Sequence, residues 1–164
     1  MAAGDTGSDV DESAFEERPS MERRLVLRVL KKWRALADEQ PRPSVHSIDG
    51  HDFADLWPFC FTLQLGRYRN DPLIRYCGDA FTQPPGKMVE LTQASQLPRM
   101  TLIANAIHFI DEVISREVPI TRGGEFTTKS GTVVRYRSIL LPLSEPGGDM
   151  NFLLGAANSK EFAD

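Results

Sequence analysis

The chain has 164 residues, 41% of them hydrophobic and 26% charged, ordinary usage for a globular domain long enough to bury about 70% of its unfolded surface. Its formal net charge is −4 and it has two cysteines, which excludes a disulfide scaffold, and no apolar run approaches the ~18 residues that cross a bilayer. One soluble domain is expected, in a reducing cytoplasm, because the acidic start MAAGDTGSDVDESAFEE lacks the apolar segment of an export signal.

Residues 1–20 carry six acids (Asp5, Asp9, Asp11, Glu12, Glu16, Glu17) and one base (Arg18), a net −5, and the remainder is near neutral. Residues 1–19 read as a disordered acidic tail, since only Val10 and Phe15 are bulky and apolar. A near-neutral domain carries no field for nucleic acid. Residues 20–40 follow as an amphipathic helix. Leu25, Val26, Val29, Leu30, Trp33, Leu36 and Ala37 share one arc, and Arg24, Arg28, Lys31 and Lys32 lie opposite. Ser20 suits the N-cap, and Pro41 stops the helix.

Residues 41–160 form the domain proper. A proline-punctuated connector leads to a helical turn at His51–Leu56, closed by Pro58. Phe59–Gly66 and Leu73–Gly78 read as a hairpin around Tyr68-Arg69-Asn70. From Asp79 to Pro98 the pattern gives short helices and loops, with apolar pieces at Met88, Val89 and Leu91. Arg99–Arg116 reads as one helix striped by Ile103, Ile107, Ile110 and Ile114. Three strands close the chain: Val118–Thr128, with a bulge or break at Gly123-Gly124, then Thr132–Leu143 and Asn151–Ala157. Helix, two strands, helices and three strands make an α+β domain: one five-stranded antiparallel sheet with helices on one face and an N-terminal flanking helix.

This order, together with VHSIDGHDFADLWPFCFTLQL, PLIRYCGDAF and above all RYRSILLPLSEPGGDMNFLLGAAN, resembles the PAS domain family, and within it a bacterial subfamily of nearly stand-alone single PAS domains. The resemblance spans roughly residues 24–158. It implies a cytoplasmic regulatory module of bacterial signalling that binds a small molecule or a partner protein, as a homodimer through the flanking helix. Leu25, Val29, Trp33 and Leu36 are the dimer-helix candidates. Neither membrane nor nucleic acid is expected as a partner.

A pocket is expected between the sheet and the helix Arg99–Arg116. Its candidates are Phe61 and Leu63 on the first strand, Tyr76 on the second, Ile103, Ile107 and Ile110 on the helix, and Arg137 and Leu141 on the fourth strand. The parity of Arg135 and Arg137 is open. Exposed, they are ordinary surface groups; inward, their forked guanidinium groups suit a carboxylate or phosphate. A second reading is an adaptor with a packed core and no ligand. A third, of less weight, is a small isomerase or lyase, for which Glu90 and Asp111 are the nearest acids, both on exposed positions of the pattern.

No cofactor is identified, and neither haem nor flavin is supported. Some PAS domains hold haem through a histidine on the long helix, but helical phase turns His108 away from the apolar arc and towards Glu112. His46, Asp49, His51 and Asp52 cluster locally without zinc's preferred donors, and Asp49-Gly50 and Asp52 suit a turn and a cap. Cys60 and Cys77 are equidistant from the hairpin turn, so a reducible cross-strand pair and two buried hydrophobes are both open. The chain has no nucleophile elbow and no phosphate-binding glycine loop, and no enzyme is expected.

Overall fold

The computed structural model describes residues 21–81, 92–145 and 148–162. The acidic tail, its junction at Ser20, and Met88, Val89, Glu90 and Leu91 lie outside the described residues.

Helix α1 (Met21–Ala37) buries the arc expected of it, with Leu25, Val26, Val29, Leu30 and Trp33 all at most 6% exposed. It ends before Pro41. Asp38 turns left-handed at φ 55° and its N–H reaches the Arg34 carbonyl at 3.2 Å, which terminates the last turn. Helix α2 is the short segment Gly50–Phe53, and a 3-10 turn follows at Ala54–Phe59. The cap of α2 is Asp49, whose carboxylate accepts from the His51 N–H at 3.0 Å, so Asp52 lies within the first turn instead.

Strands β1 (Cys60–Gln64), β2 (Leu73–Cys77), β3 (Ile120–Thr127), β4 (Val133–Ser144) and β5 (Met150–Phe162) form one sheet in the order β2-β1-β5-β4-β3. Every pairing is antiparallel. This is the α+β, PAS-like architecture implied by the element order. The last strand, from the centre of the sheet, joins β1 to β4. Gly123-Gly124 does not interrupt β3, which pairs with β4 in unbroken register from Ile120 opposite Leu140 to Thr127 opposite Val133. The outer edge of β2 is covered by the returning chain, where the Ile74 N–H donates to the Thr92 carbonyl and the Ala94 N–H to the Pro72 carbonyl, both at 2.9 Å.

The expected helix Arg99–Arg116 is two helices, α3 (Leu102–Ala106) and α4 (Ile110–Arg116). The break has a local cause. The Asn105 carbonyl, which a continuous helix would offer to the Phe109 N–H, accepts from the His108 backbone N–H at 3.3 Å and from His108 Nδ1 at 2.7 Å. The Asn105 side chain is also drawn back, donating to the Arg99 and Thr101 carbonyls at 2.9 and 2.8 Å. Three-residue bonds then carry the chain to α4, which Glu117 closes at φ 57°.

Both faces of the sheet are covered. Helices α3 and α4 cover one face, over a cluster that includes Phe61, Leu63, Ile74, Cys77, Phe81, Ile103, Ile107, Ile120, Leu140 and Leu153. The flanking helix α1 covers the other, with Phe53 and Leu56, over Cys60, Ile139, Leu141, Leu143, Leu154 and Ala156. The Trp33 indole N–H donates to the buried Pro142 carbonyl at 2.8 Å and fixes α1 over β4. Leu25, Val29 and Trp33 are therefore spent on the chain's own sheet, with Leu36 half-buried against the same cluster. The face expected to meet a second copy packs on the long strands β4 and β5 of its own chain.

Candidate functional site

Side chains alternate across a strand, so one residue settles the parity of each strand. In β1, Phe61 and Leu63 face α3 and α4 as expected, and Phe61 stands opposite Gly155 of β5. The Phe61 ring occupies the space above that glycine, for a Cβ at position 155 would fall 2.2 Å from the ring. The Phe81 ring meets it edge-on at 5.2 Å. Ile103 and Ile107 close the same cluster from above, and Ile110 is half-buried at its margin.

The other three pocket candidates are elsewhere. A register shift in the β1–β2 ladder between Thr62 and Leu63 leaves Tyr76 on the α1 face, stacked on Trp57 at 4.4 Å with its hydroxyl donating to the Trp57 carbonyl at 3.1 Å. Leu141 belongs to the α1-side cluster. Arg137 shares its parity, and Arg135 is exposed, bound to Glu125 at 2.9–3.0 Å and set over the Phe162 ring at 4.7 Å. The phase of β4 thus turns Arg135 and Arg137 away from the space under α3 and α4.

The residues that β4 does present there were missed: Tyr136, Ser138 and Leu140. Alternation along the strand gave no signal to find them, because both parities of β4 carry apolar residues, and all of Val134, Leu140, Ile139 and Leu141 are buried. Ser138 is fully buried and its hydroxyl donates to the Ala106 carbonyl at 3.1 Å, tying α3 to the sheet. Tyr136 is 6% exposed, and burial pushes its phenol up. Its hydroxyl is 3.4 Å from His108 Nδ1, and it sits close over Gly124, where a Cβ would press on the hydroxyl oxygen at 3.0 Å. His108 is exposed, as expected, but its neighbour is Tyr136 rather than Glu112. The helix break resets its phase, and Glu112 binds Arg122 at 2.6 Å and Arg116 at 3.6 Å.

Cys60 and Cys77 do not face each other. Phe61, not Cys60, stands opposite Cys77, so the thiols lie on opposite faces of the sheet, one in each cluster. Neither is in a disulfide, and both are buried. Cys60 Sγ donates to the Leu56 carbonyl at 3.4 Å, and burial pushes its thiol up to about 12. A thiol held in that form is a poor nucleophile. Asp111 is exposed on α4, away from the buried cluster.

Among the described residues, the grooves on the surface include two of note. One, about 410 Å³, runs between the outer face of α1 and the turn after α2, lined by Arg28, Lys31, Lys32, Ala35 and Leu56. Arg28 is bound bidentately to Asp55 at 3.1–3.2 Å, which holds the Asp55 carboxyl below its usual range. The other groove, about 580 Å³, lies between the approach to α3 and β3, with Arg99, Met100, Asn105, Glu125 and Phe126 among its lining. Met100 there is 50% exposed. No helix among the described residues is long and apolar enough to cross a membrane.

No protein-family model and no curated protein matches the chain. Solved structures do. They include the light-state LOV domain of the blue-light photoreceptor Aureochrome1, 15% identical, over 65% of this chain and 83% of that one, with a TM-score of 0.44. A second is a Light-Oxygen-Voltage domain from work with a flavin analogue, 15% identical, over 64% of this chain and 77% of that one, with a TM-score of 0.43. The fold of this chain is given by its own strand order and register, and these likenesses say nothing of what it binds.

Proposed function

We propose that the chain is a PAS-type regulatory module of a signalling system that acts by surface contact with a partner protein, as an adaptor without chemistry of its own. The observation that carries this reading is the packing under α3 and α4. Phe61, Leu63, Ile103, Ile107 and Leu140 are each at most 5% exposed, and Ser138, fully buried and the polar side chain that β4 sends towards α3, is spent on the Ala106 carbonyl. A site for a polar ligand needs a few converging polar groups; here the buried groups converge on each other, while the grooves with charged walls open outward.

Native mass spectrometry of the purified chain tests it. The expected spectrum contains the polypeptide mass alone, as monomer or as an integral multiple. A stoichiometric adduct released on denaturation would replace the adaptor by a small-molecule sensor and give the mass of its ligand. The same spectrum reads whether a homodimer forms, which would have to use a surface other than the apolar face of α1.

A further inference from the structure

We propose that the groove on the outer face of α1 is a docking surface for an acidic segment, and that its occupant is residues 5–17 of this same chain. Three cations, Arg28, Lys31 and Lys32, stand around an apolar floor of Ala35 and Leu56. Asp55 offsets Arg28, while Lys31 and Lys32 extend the positive wall into solvent. A fitting partner has carboxylates spaced around bulky apolar side chains. Residues 5–17 have that composition: Asp5, Asp9, Asp11, Glu12, Glu16 and Glu17 flank Val10 and Phe15.

The tether fits as well. Lys31 is ten residues beyond Met21, about 15 Å along a helix rising 1.5 Å per residue. Reversing direction at Met21 takes about three residues and five extended residues span about 17 Å, so a chain folded back from Met21 brings Glu12 level with Lys31, with Phe15 and Glu16 before it. So short a tether gives an effective concentration in the millimolar range, far above that of a second copy at micromolar protein. On the sheet Arg75, Arg135 and Lys160 are also exposed, and Arg135 is already bound to Glu125.

The test is zero-length carbodiimide cross-linking of the full chain, which joins only carboxylates and amines already in contact, in an equal mixture of ¹⁵N-labelled and unlabelled protein. Links from Lys31 or Lys32 to Glu12 or Asp11 are expected, within one isotopic chain, and severalfold weaker at 0.5 M salt, where charge pairs at the surface are screened. Links to Lys129 and Lys160 at equal yield would overturn the proposal as random collision, and so would the absence of tail links at Lys31 and Lys32. Mixed-isotope links would assign the groove to a second copy's tail and overturn the intramolecular occupant. As a second measurement, the variant D5N/D9N/D11N/E12Q/E16Q/E17Q, which alters no described residue, is expected to bind a synthetic peptide of residues 1–18 at least tenfold tighter than the unaltered chain does, because its groove is vacated. Equal binding by the two proteins would overturn the proposal.

Discussion

The two faces of the sheet are sealed in different ways. On one, a single helix of 17 residues lies over β4 and β5, and its indole is fastened to the Pro142 carbonyl. On the other, helices of five and seven residues meet at a turn, and a buried fastening there is the serine hydroxyl under Ala106. The first face is closed by a continuous apolar stripe; the second depends on shape, with the Phe61 ring seated on Gly155. A stripe tolerates small errors because its contacts are many and alike, whereas a ring in a fitted seat does not. The face covered by α3 and α4 is thus the one whose integrity turns on single residues.

The seat is where the difference should be largest. Phe61→Ala is expected to cost about 3–5 kcal/mol, and Gly155→Ala about 1–3 kcal/mol or more by forcing the ring aside. Chemical denaturation reads both. In the double variant the two costs should add to less than their sum, because the new methyl enters space the ring has left. Additive costs would mean that the ring does not rest on position 155.

Intermediate effects should come from the two fastenings. Trp33→Phe and Ser138→Ala each strand a buried carbonyl, at about 1–3 kcal/mol. Hydrogen exchange separates them: Trp33→Phe should raise exchange along α1, and Ser138→Ala should raise it in α3 and α4, each leaving the opposite face protected. Exchange that rises equally on both faces after either change would show that the faces open as one unit.

The smallest effect at neutral pH is expected at the thiols. One lies in each face, so mild oxidation should leave two alkylatable cysteines after unfolding, counted by intact mass; a linked pair would contradict the register. For Cys60 the sign of the pH dependence follows from a folded value of about 12 against 9.0 for the ordinary thiol. The unfolded chain loses this proton first, so stability is fully present below pH 9 and falls as pH rises from 9 towards 12. Cys60→Ala should show a shallower alkaline decline in melting temperature than the unaltered chain.

Local patterns made much of this legible. The stripe of α1, the β1–β2 hairpin and the glycine-rich connections of β3, β4 and β5 follow from side-chain periodicity and turn chemistry, which act over a few residues. The half of the candidate site formed by Phe61, Leu63, Ile103 and Ile107 was legible for the same reason. Tyr76, Arg137 and Leu141 were misplaced because alternation tells which residues of a strand share a face but not which face that is. In β4 both parities carry apolar residues, since Ile139 and Leu141 on one side and Val134 and Leu140 on the other are all buried.

The sequence by itself determined the α+β class, the order of elements and the amphipathic character of α1, because each depends on residues near one another in the chain. Tertiary structure alone decided that α1 covers its own sheet, that β1 and β2 slip by a residue and part Cys60 from Cys77, and that the helix over Phe61 breaks after Asn105. Those outcomes depend on what lies across the sheet or above it. The same apolar stripe suits a second copy or the chain's own strands, and only the length of β4 and β5 and the Pro142 carbonyl waiting for Trp33 choose between them.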